Sequence, residues 1–206
     1  MPVADTSRRA ARQPATADKR ELILRAATKL FARRGFFHAQ VADVAKEAGV
    51  AAGTVYLYFE NKDDLLISIF EQRMQEAMSE ATASLEGVTD PVERLQRLAR
   101  VHLGHLGRDR DLAVVFQVEL RQSTKFMERF SSTLLQDYLN AIRDAIADAQ
   151  GEGTFRPEAS ATLAAKMFYG ALDEMATNWI LSRRRYRLAA QADDVVDLFV
   201  QGLRKR

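Results

Sequence analysis

Three hydroxyl-bearing side chains crowd into the run Ala52-Gly53-Thr54-Val55-Tyr56-Leu57-Tyr58-Phe59. Hydroxyls of Thr54, Tyr56 and Tyr58 suit base edges and phosphate oxygens, and the small Ala52 and Gly53 would let a helix backbone approach a duplex closely. Lys62 follows at once and suits a phosphate, as does the amide of Gln40 upstream. Together these residue types point to nucleic acid. The competing reading is an ordinary helical corner, with Tyr56 and Phe59 in the core and Lys62 as a solvated charge.

Other reactive side chains form no catalytic set. His102 and His105 stand at i and i+3, a spacing that can hold a metal, but no carboxylate takes an obvious third position. Asp173 and Glu174 could serve as acid and base, yet no nucleophile, phosphate loop or cofactor motif accompanies them. The expectation is a protein with no catalytic residues, metal or cofactor. A binding cavity is the better second function. Leu112 to Lys125 mixes an apolar run with Gln117, Glu119 and Arg121, and Lys166 to Trp179 mixes Met and aromatic residues with Asp173, Thr177 and Asn178. Candidate lining residues are Phe116, Gln117, Leu120 and Arg121 from the first segment. The second offers Phe168, Tyr169, Leu172, Asp173, Met175, Thr177 and Trp179. The same residues could equally be core with satisfied polar partners.

The elements that must position these groups are helical. Val41, Val44, Ala45 and Ala48 mark one face of a short helix that Gly49 would end with a left-handed cap. A second helix from Ala52 to Phe59, after a tight turn, completes a helix-turn-helix. Before it, a helix from Asp18 to Arg34 has a capping-box pattern in Asp18 and Glu21, and Phe36 and Phe37 would wedge it against the motif. After it, Asn61 or Asp64 caps a long helix from Lys62 to about Ser84, whose first turn sits beside the motif. Helical spacing then predicts segments from Pro91 to Gly107, Asp111 to Gln122, Lys125 to Gln150, Pro157 to Leu181 and Asp193 to Leu203. No stretch alternates as a strand. The predicted fold is all-α: an arm over residues 1–16, a helix-turn-helix domain over 17–64 and a larger helical domain over 65–206.

Charge is divided along that plan. Residues 1–62 carry a net +5 and residues 63–206 a net −3, within a total of +2. A basic end on a mildly acidic body favours nucleic acid at one end only, and Arg8, Arg9 and Arg12 could brush phosphate or a minor groove. The chain has no cysteine, no run of membrane-span length and no apolar signal core, so a cytoplasmic protein with no membrane partner is expected. The last two predicted helices have wide Ala-rich faces that suit pairing across a two-fold axis.

The stretch Thr54 to Lys62, TVYLYFENK, resembles the DNA-binding domain of the TetR family of repressors, whose signature is T-[VI]-Y-x-[YH]-F-x-x-K. Relatives usually carry Thr or Ser where Ala39 and Gln40 stand, so the contact of Gln40 departs from the pattern. The combination YLYFENKDDLLISIF, LAVVFQVELRQS and GALDEMATNWILSRRRYRL is similar to the FadR branch, covering nearly the whole chain from Lys19. The resemblance implies a homodimer built on the last two helices that binds a pseudo-palindromic operator in double-stranded DNA. It also implies a repressor of fatty-acid degradation genes, released by a long-chain acyl-CoA with its tail in the apolar tunnel. Arg183, Arg184, Arg185 and Arg187 would then meet CoA phosphates, or simply form a solvated helix end. The alternatives are a TetR-type repressor of efflux or other metabolic genes responding to a different lipophilic ligand, and a lipid-carrier or enzyme-like helical protein.

Overall fold

A computed structural model describes residues 16–131 and 134–205. The elements are α1 (Thr16–Arg34), α2 (Val41–Ala48), α3 (Ala52–Val55), α4 (Lys62–Leu85), α5 (Pro91–Arg108), α6 (Arg110–Val114), α7 (Thr124–Ser131), α8 (Leu134–Gly151), α9 (Ala161–Leu181) and α10 (Ala192–Leu203). Between α6 and α7 the helical path continues through a π turn, Val115–Glu119, and a 3-10 turn, Leu120–Gln122. The β structure among the described residues is a single antiparallel bridge between Phe155 and Arg204. The fold is all-α.

Local chemistry sets the boundaries. Gly49 adopts φ +71° and, with Val50, donates its backbone N–H to the last carbonyls of α2, a left-handed cap that turns the chain toward α3. The Asn61 side chain accepts the Asp64 N–H at 2.9 Å and starts α4. Asp90 accepts the Val92 and Glu93 N–H groups, with Pro91 at the first helical position of α5. α1 is already helical at Thr16, where the described residues begin, so Asp18 lies within the helix and not at its N-cap. Glu21 bonds to Arg25, Arg73 and Gln72 instead of closing a capping box.

Two other boundaries differ from the sequence expectation. The second helix of the motif is only Ala52–Val55; beyond it, N–H groups of Leu57 and Tyr58 bond three residues back. That tightening tucks Phe59 into the core beside Val55. Over the expected helix from Lys125 to Gln150 the described residues are helical, as α7 up to Ser131 and as α8 from Leu134. α9 starts at Ala161, capped by Ser160 rather than at Pro157. The arm expected over residues 1–16, with Arg8, Arg9 and Arg12, lies outside the described residues apart from Thr16.

The core is continuous. Ile23, Leu24, Ala27 and Phe31 of α1 close on Val44, Val55 and Phe59, and Leu65, Leu66, Ile69 and Phe70 of α4 carry the apolar contact into the larger helical body. Phe36 joins this core, but Phe37 does not: it is 60% exposed.

Lys62 holds the corner together. Its Nζ donates to the carbonyls of Phe36 (2.8 Å), Phe37 (3.2 Å) and Ala39 (3.0 Å), and it lies 4.5 Å from the centre of the Phe36 ring. Three N–H bonds use every donor of an ammonium, so the expected phosphate contact of Lys62 gives way to an internal one. Lys62→Met should therefore destabilise the fold by about 2–3 kcal/mol, because three carbonyls lose a charged donor. Urea unfolding of both proteins measures this; an unchanged midpoint would show that the ammonium is dispensable.

Candidate functional site

The helix-turn-helix presents an exposed surface built on a buried underside. Val44, Ala45 and Val55 face inward, while Gln40, Ala52, Gly53 and Tyr56 are exposed and Thr54 and Tyr58 half-buried. A Cβ at Gly53 would meet nothing within 4 Å, so the fold itself does not demand glycine there; the bare backbone simply faces outward. Tyr56 is 58% exposed and Leu57 81% exposed. An apolar side chain held this far into solvent suits the thymine methyl or sugar faces of a duplex. Leu57 was not marked by sequence reasoning, because within an aromatic run it reads as core.

A cavity of about 60 Å³ lies in the larger body, lined by Met74 and Met78 of α4, His102 and His105 of α5, Phe116 of the π turn and Tyr138 of α8, among others. A second void of about 110 Å³ adjoins it, reaching Leu120, Arg121 and Met127. Phe116, Gln117, Leu135, Tyr169 and Asp173 line both, so they form the wall between them. Moving that wall would merge the two spaces into a longer apolar channel. The unbranched side chains of Met74, Met78 and Met127 can repack around a guest at small cost.

The wall is pinned by one polar network. The Asp173 carboxylate accepts Gln117 Nε2 at 3.0 Å and Arg121 Nη2 at 2.7 Å, and Thr177 Oγ1 donates to Gln117 Oε1 at 3.0 Å. Rings of His102, Tyr138 and Tyr169 cluster with centroids 5.5–6.2 Å apart. Burial pushes the His102 imidazole down to about 4, with the Asp173 charge opposing it in part. Burial lowers His105 and raises the phenols of Tyr138 and Tyr169. The cavity therefore holds neutral rings at neutral pH.

Two polar links run from the cavity wall to the helix-turn-helix end. Arg73, which lines the cavity, donates to Glu21 of α1 at 2.6 Å. Burial alone would raise the Glu21 carboxyl, but hydrogen bonds from Arg73, Arg25 and Gln72 outweigh it and hold it below the usual range. The second link starts on the π turn. Glu119 is 4% exposed, and its carboxylate accepts the Phe36 N–H at 2.7 Å and Gln122 Nε2 at 3.0 Å.

Comparison with known proteins agrees with this layout. The model described as "Bacterial regulatory proteins, tetR family" matches residues 23–69, and "YsiA-like protein, C-terminal region" matches residues 70–202. The chain is 33% identical to the fatty acid metabolism regulator protein of Bacillus subtilis, over 89% of this chain and 95% of that one. This protein belongs to the TetR family. A structure of the fatty acid degradation regulator FadR from Bacillus halodurans superimposes with a TM-score of 0.82 at 38% identity, covering 89% of this chain and 99% of that one. That of FadR from Bacillus subtilis in complex with stearoyl-CoA gives 0.83 at 33% identity, covering 89% and 98%.

Within this TetR-family chain, the structure brings Phe116, Gln117, Leu120, Arg121, Tyr169 and Asp173 to the two voids, with Thr177 touching Gln117. Other expected lining residues lie elsewhere. Tyr169, Asp173 and Thr177 recur every four residues on one face of α9, whereas Phe168 and Leu172 turn away into the core, where Phe168 packs on Phe199 at 4.7 Å. Trp179 stacks under Arg110 and donates Nε1–H to the Tyr186 carbonyl. Met175 packs against the core from a half-buried position, and Arg183 is exposed beyond the end of α9. Neither Met175 nor Arg183 lines a void. Among the residues missed are Arg73, Met74, Met78, Val101, Leu135 and Tyr138; the i, i+4 spacing of Met74 and Met78 was the one available signal. His102 and His105, weighed earlier as metal ligands, share the cavity wall, and no group of three metal-ligating side chains occurs among the described residues.

The buried imidazole makes stability pH-dependent. His102 has a folded value near 4 against 6.5 when free, so between those values the unfolded chain binds the extra proton. Its contribution is intact above pH 6.5 and is lost as pH falls toward 4, by at most about 3 kcal/mol. Urea unfolding at pH 7 and pH 5 should show wild type losing more stability than His102→Phe. Equal losses would contradict the burial of a neutral ring.

Proposed function

We propose that the protein is a ligand-gated repressor of fatty-acid degradation genes, binding a pseudo-palindromic operator as a homodimer and releasing it on binding a long-chain acyl-CoA. The observation that carries this reading is the double use of α4. Its first turns pack against the helix-turn-helix, and its middle, at Arg73, Met74, Ala77 and Met78, lines the cavity. A guest that displaces this helix moves the element that sets the pose of the DNA-binding end.

Residues 17–64 act as the DNA-binding unit in this reading and 65–206 as the effector and dimer unit, working in the cytoplasm. No described helix is long and apolar enough to cross a membrane. Gln40, Ala52, Gly53, Thr54, Tyr56 and Tyr58 face the duplex. The outward rows of α9 and α10 leave Leu163, Met167, Leu181 and Leu198 exposed, which suits a helix-pair interface between two copies. In such a dimer the recognition elements would sit roughly 34–36 Å apart, one turn of DNA.

The acyl chain occupies the merged voids. Their lining is mostly apolar, and the one carboxylate in it, Asp173, is paired with Arg121. A wall of this kind offers a cationic drug no unpaired acid, which favours an acyl guest over the efflux reading. Arg121 and Arg73 are the cations that line the voids; an anionic head group would meet them in exchange for their present partners Asp173 and Glu21.

An operator duplex selected from random sequence by the protein itself provides the test. Stearoyl-CoA at saturation should lower its affinity about a hundredfold, or about 2.7 kcal/mol. Thr54→Ala and Tyr56→Ala should each weaken binding roughly tenfold without altering stearoyl-CoA affinity. Undiminished operator binding in saturating stearoyl-CoA would sink the effector reading; full affinity in both variants would remove the assigned DNA face.

A further inference from the structure

The backbone of Phe36 sits between two charged side chains. Its N–H donates to the Glu119 carboxylate at 2.7 Å, and its carbonyl accepts Lys62 Nζ at 2.8 Å. Lys62 also holds the carbonyls of Phe37 and Ala39, so the segment leading into α2 is held by Glu119 on one side and Lys62 on the other. Gly35, at φ +78°, brings the turn so close that even a Cβ there would stand 3.9 Å from both Glu119 oxygens. The Phe126 ring, just after the π turn, packs edge-on against the Phe36 ring at 5.3 Å.

Glu119 ends a π turn whose earlier residues, Phe116 and Gln117, belong to the wall between the two voids. A π turn is rare and is often found at functional sites. A guest spanning both voids has to displace that wall. Displacing it turns the backbone that carries Glu119, and a buried carboxylate cannot follow by a small amount: it keeps its N–H partner or loses it.

We propose that Glu119 is a positioning residue for operator binding: through the Phe36 N–H it holds the helix-turn-helix in its DNA-competent pose, and filling of the cavity releases that hold. This deepens the effector reading above and rests on it for the identity of the guest. The carboxylate contacts no DNA and no guest. It acts through the 36–39 segment and α2. Both partners of the bond are on the described chain, so the coupling has a defined two-state element rather than a route inferred from proximity.

Operator and stearoyl-CoA affinities of wild type, Glu119→Ala and Glu119→Gln test this, with helical content checked by circular dichroism. Glu119→Ala should bind the selected operator about tenfold more weakly than wild type. Its stearoyl-CoA affinity should rise, by up to about tenfold, because the ligand no longer has to break the Phe36 bond, and the ligand-induced loss of operator affinity should shrink from about a hundredfold to tenfold or less. Glu119→Gln should restore both quantities, because its amide oxygen accepts the same N–H. If Glu119→Ala does not fold, Glu119→Asp, one methylene too short to reach Phe36, takes its place. Full operator affinity with a full ligand response in the shortened variant would overturn the proposal, as would a Gln variant that behaves like Ala. A wild type indifferent to stearoyl-CoA would remove the effector reading alone; the operator arm, which needs no ligand, would still decide the role of Glu119.

Discussion

The hydrogen bond from the Phe36 amide to the buried Glu119 carboxylate ties the segment leading into the helix-turn-helix to the π turn of the cavity wall. Apolar packing between α1, α4 and the larger body is extensive but non-directional, and it would tolerate small changes of pose. The Glu119 bond is directional, and it costs more to break than a surface pair because no solvent replaces the lost partner at once. Lys62 holds the carbonyl of the same residue, and Phe31, Phe37 and Phe126 pack edge-on around the Phe36 ring. The pose of the recognition elements is therefore specified by a few polar contacts laid on a greasy interface.

The cavity is suited to act on those contacts because its wall is polar where it must be placed and apolar where it must yield. Asp173, Gln117, Arg121 and Thr177 fix the π turn against α9, while Phe116 packs on Phe70 of α4 with ring centres 4.7 Å apart. A guest between these surfaces works on α4 and the π turn together. Arg73 adds a third connection, since its guanidinium both lines the cavity and holds Glu21. Partly shielded, that pair is screened less by salt than the exposed bridge between Lys125 and Asp63.

Much of this was legible in the sequence. The 3.6-residue spacing, Gly49, Asn61 and Asp90 gave the helices and most of their ends, because caps and periodicity are local. The proposed DNA face rests on residue types in one contiguous run. What escaped was non-local. Lys62 reads as a surface cation until the three carbonyls of the 36–39 segment are seen to converge on it. Glu119 reads as a polar residue on an amphipathic segment, yet its partner lies 83 positions away. On α9 the apolar pattern named the buried residues but not which neighbour each faced, so Phe168 and Leu172 were taken for the cavity while Tyr138 on α8 was not. Arg183 was chosen for its charge; the cations that line the cavity, Arg73 and Arg121, are held there by carboxylates distant in sequence, Glu21 and Asp173.

Amide hydrogen exchange at Phe36, followed by NMR in the free protein and with saturating stearoyl-CoA, tests the central linkage most directly. In the free protein this N–H should be among the slow exchangers, as expected of a donor held by a buried carboxylate. Filling the cavity should speed its exchange by at least tenfold even as amides elsewhere in the larger body slow. A Phe36 amide that stays equally protected, or becomes more so, while operator affinity falls would contradict the linkage between cavity and DNA-binding end drawn through Glu119.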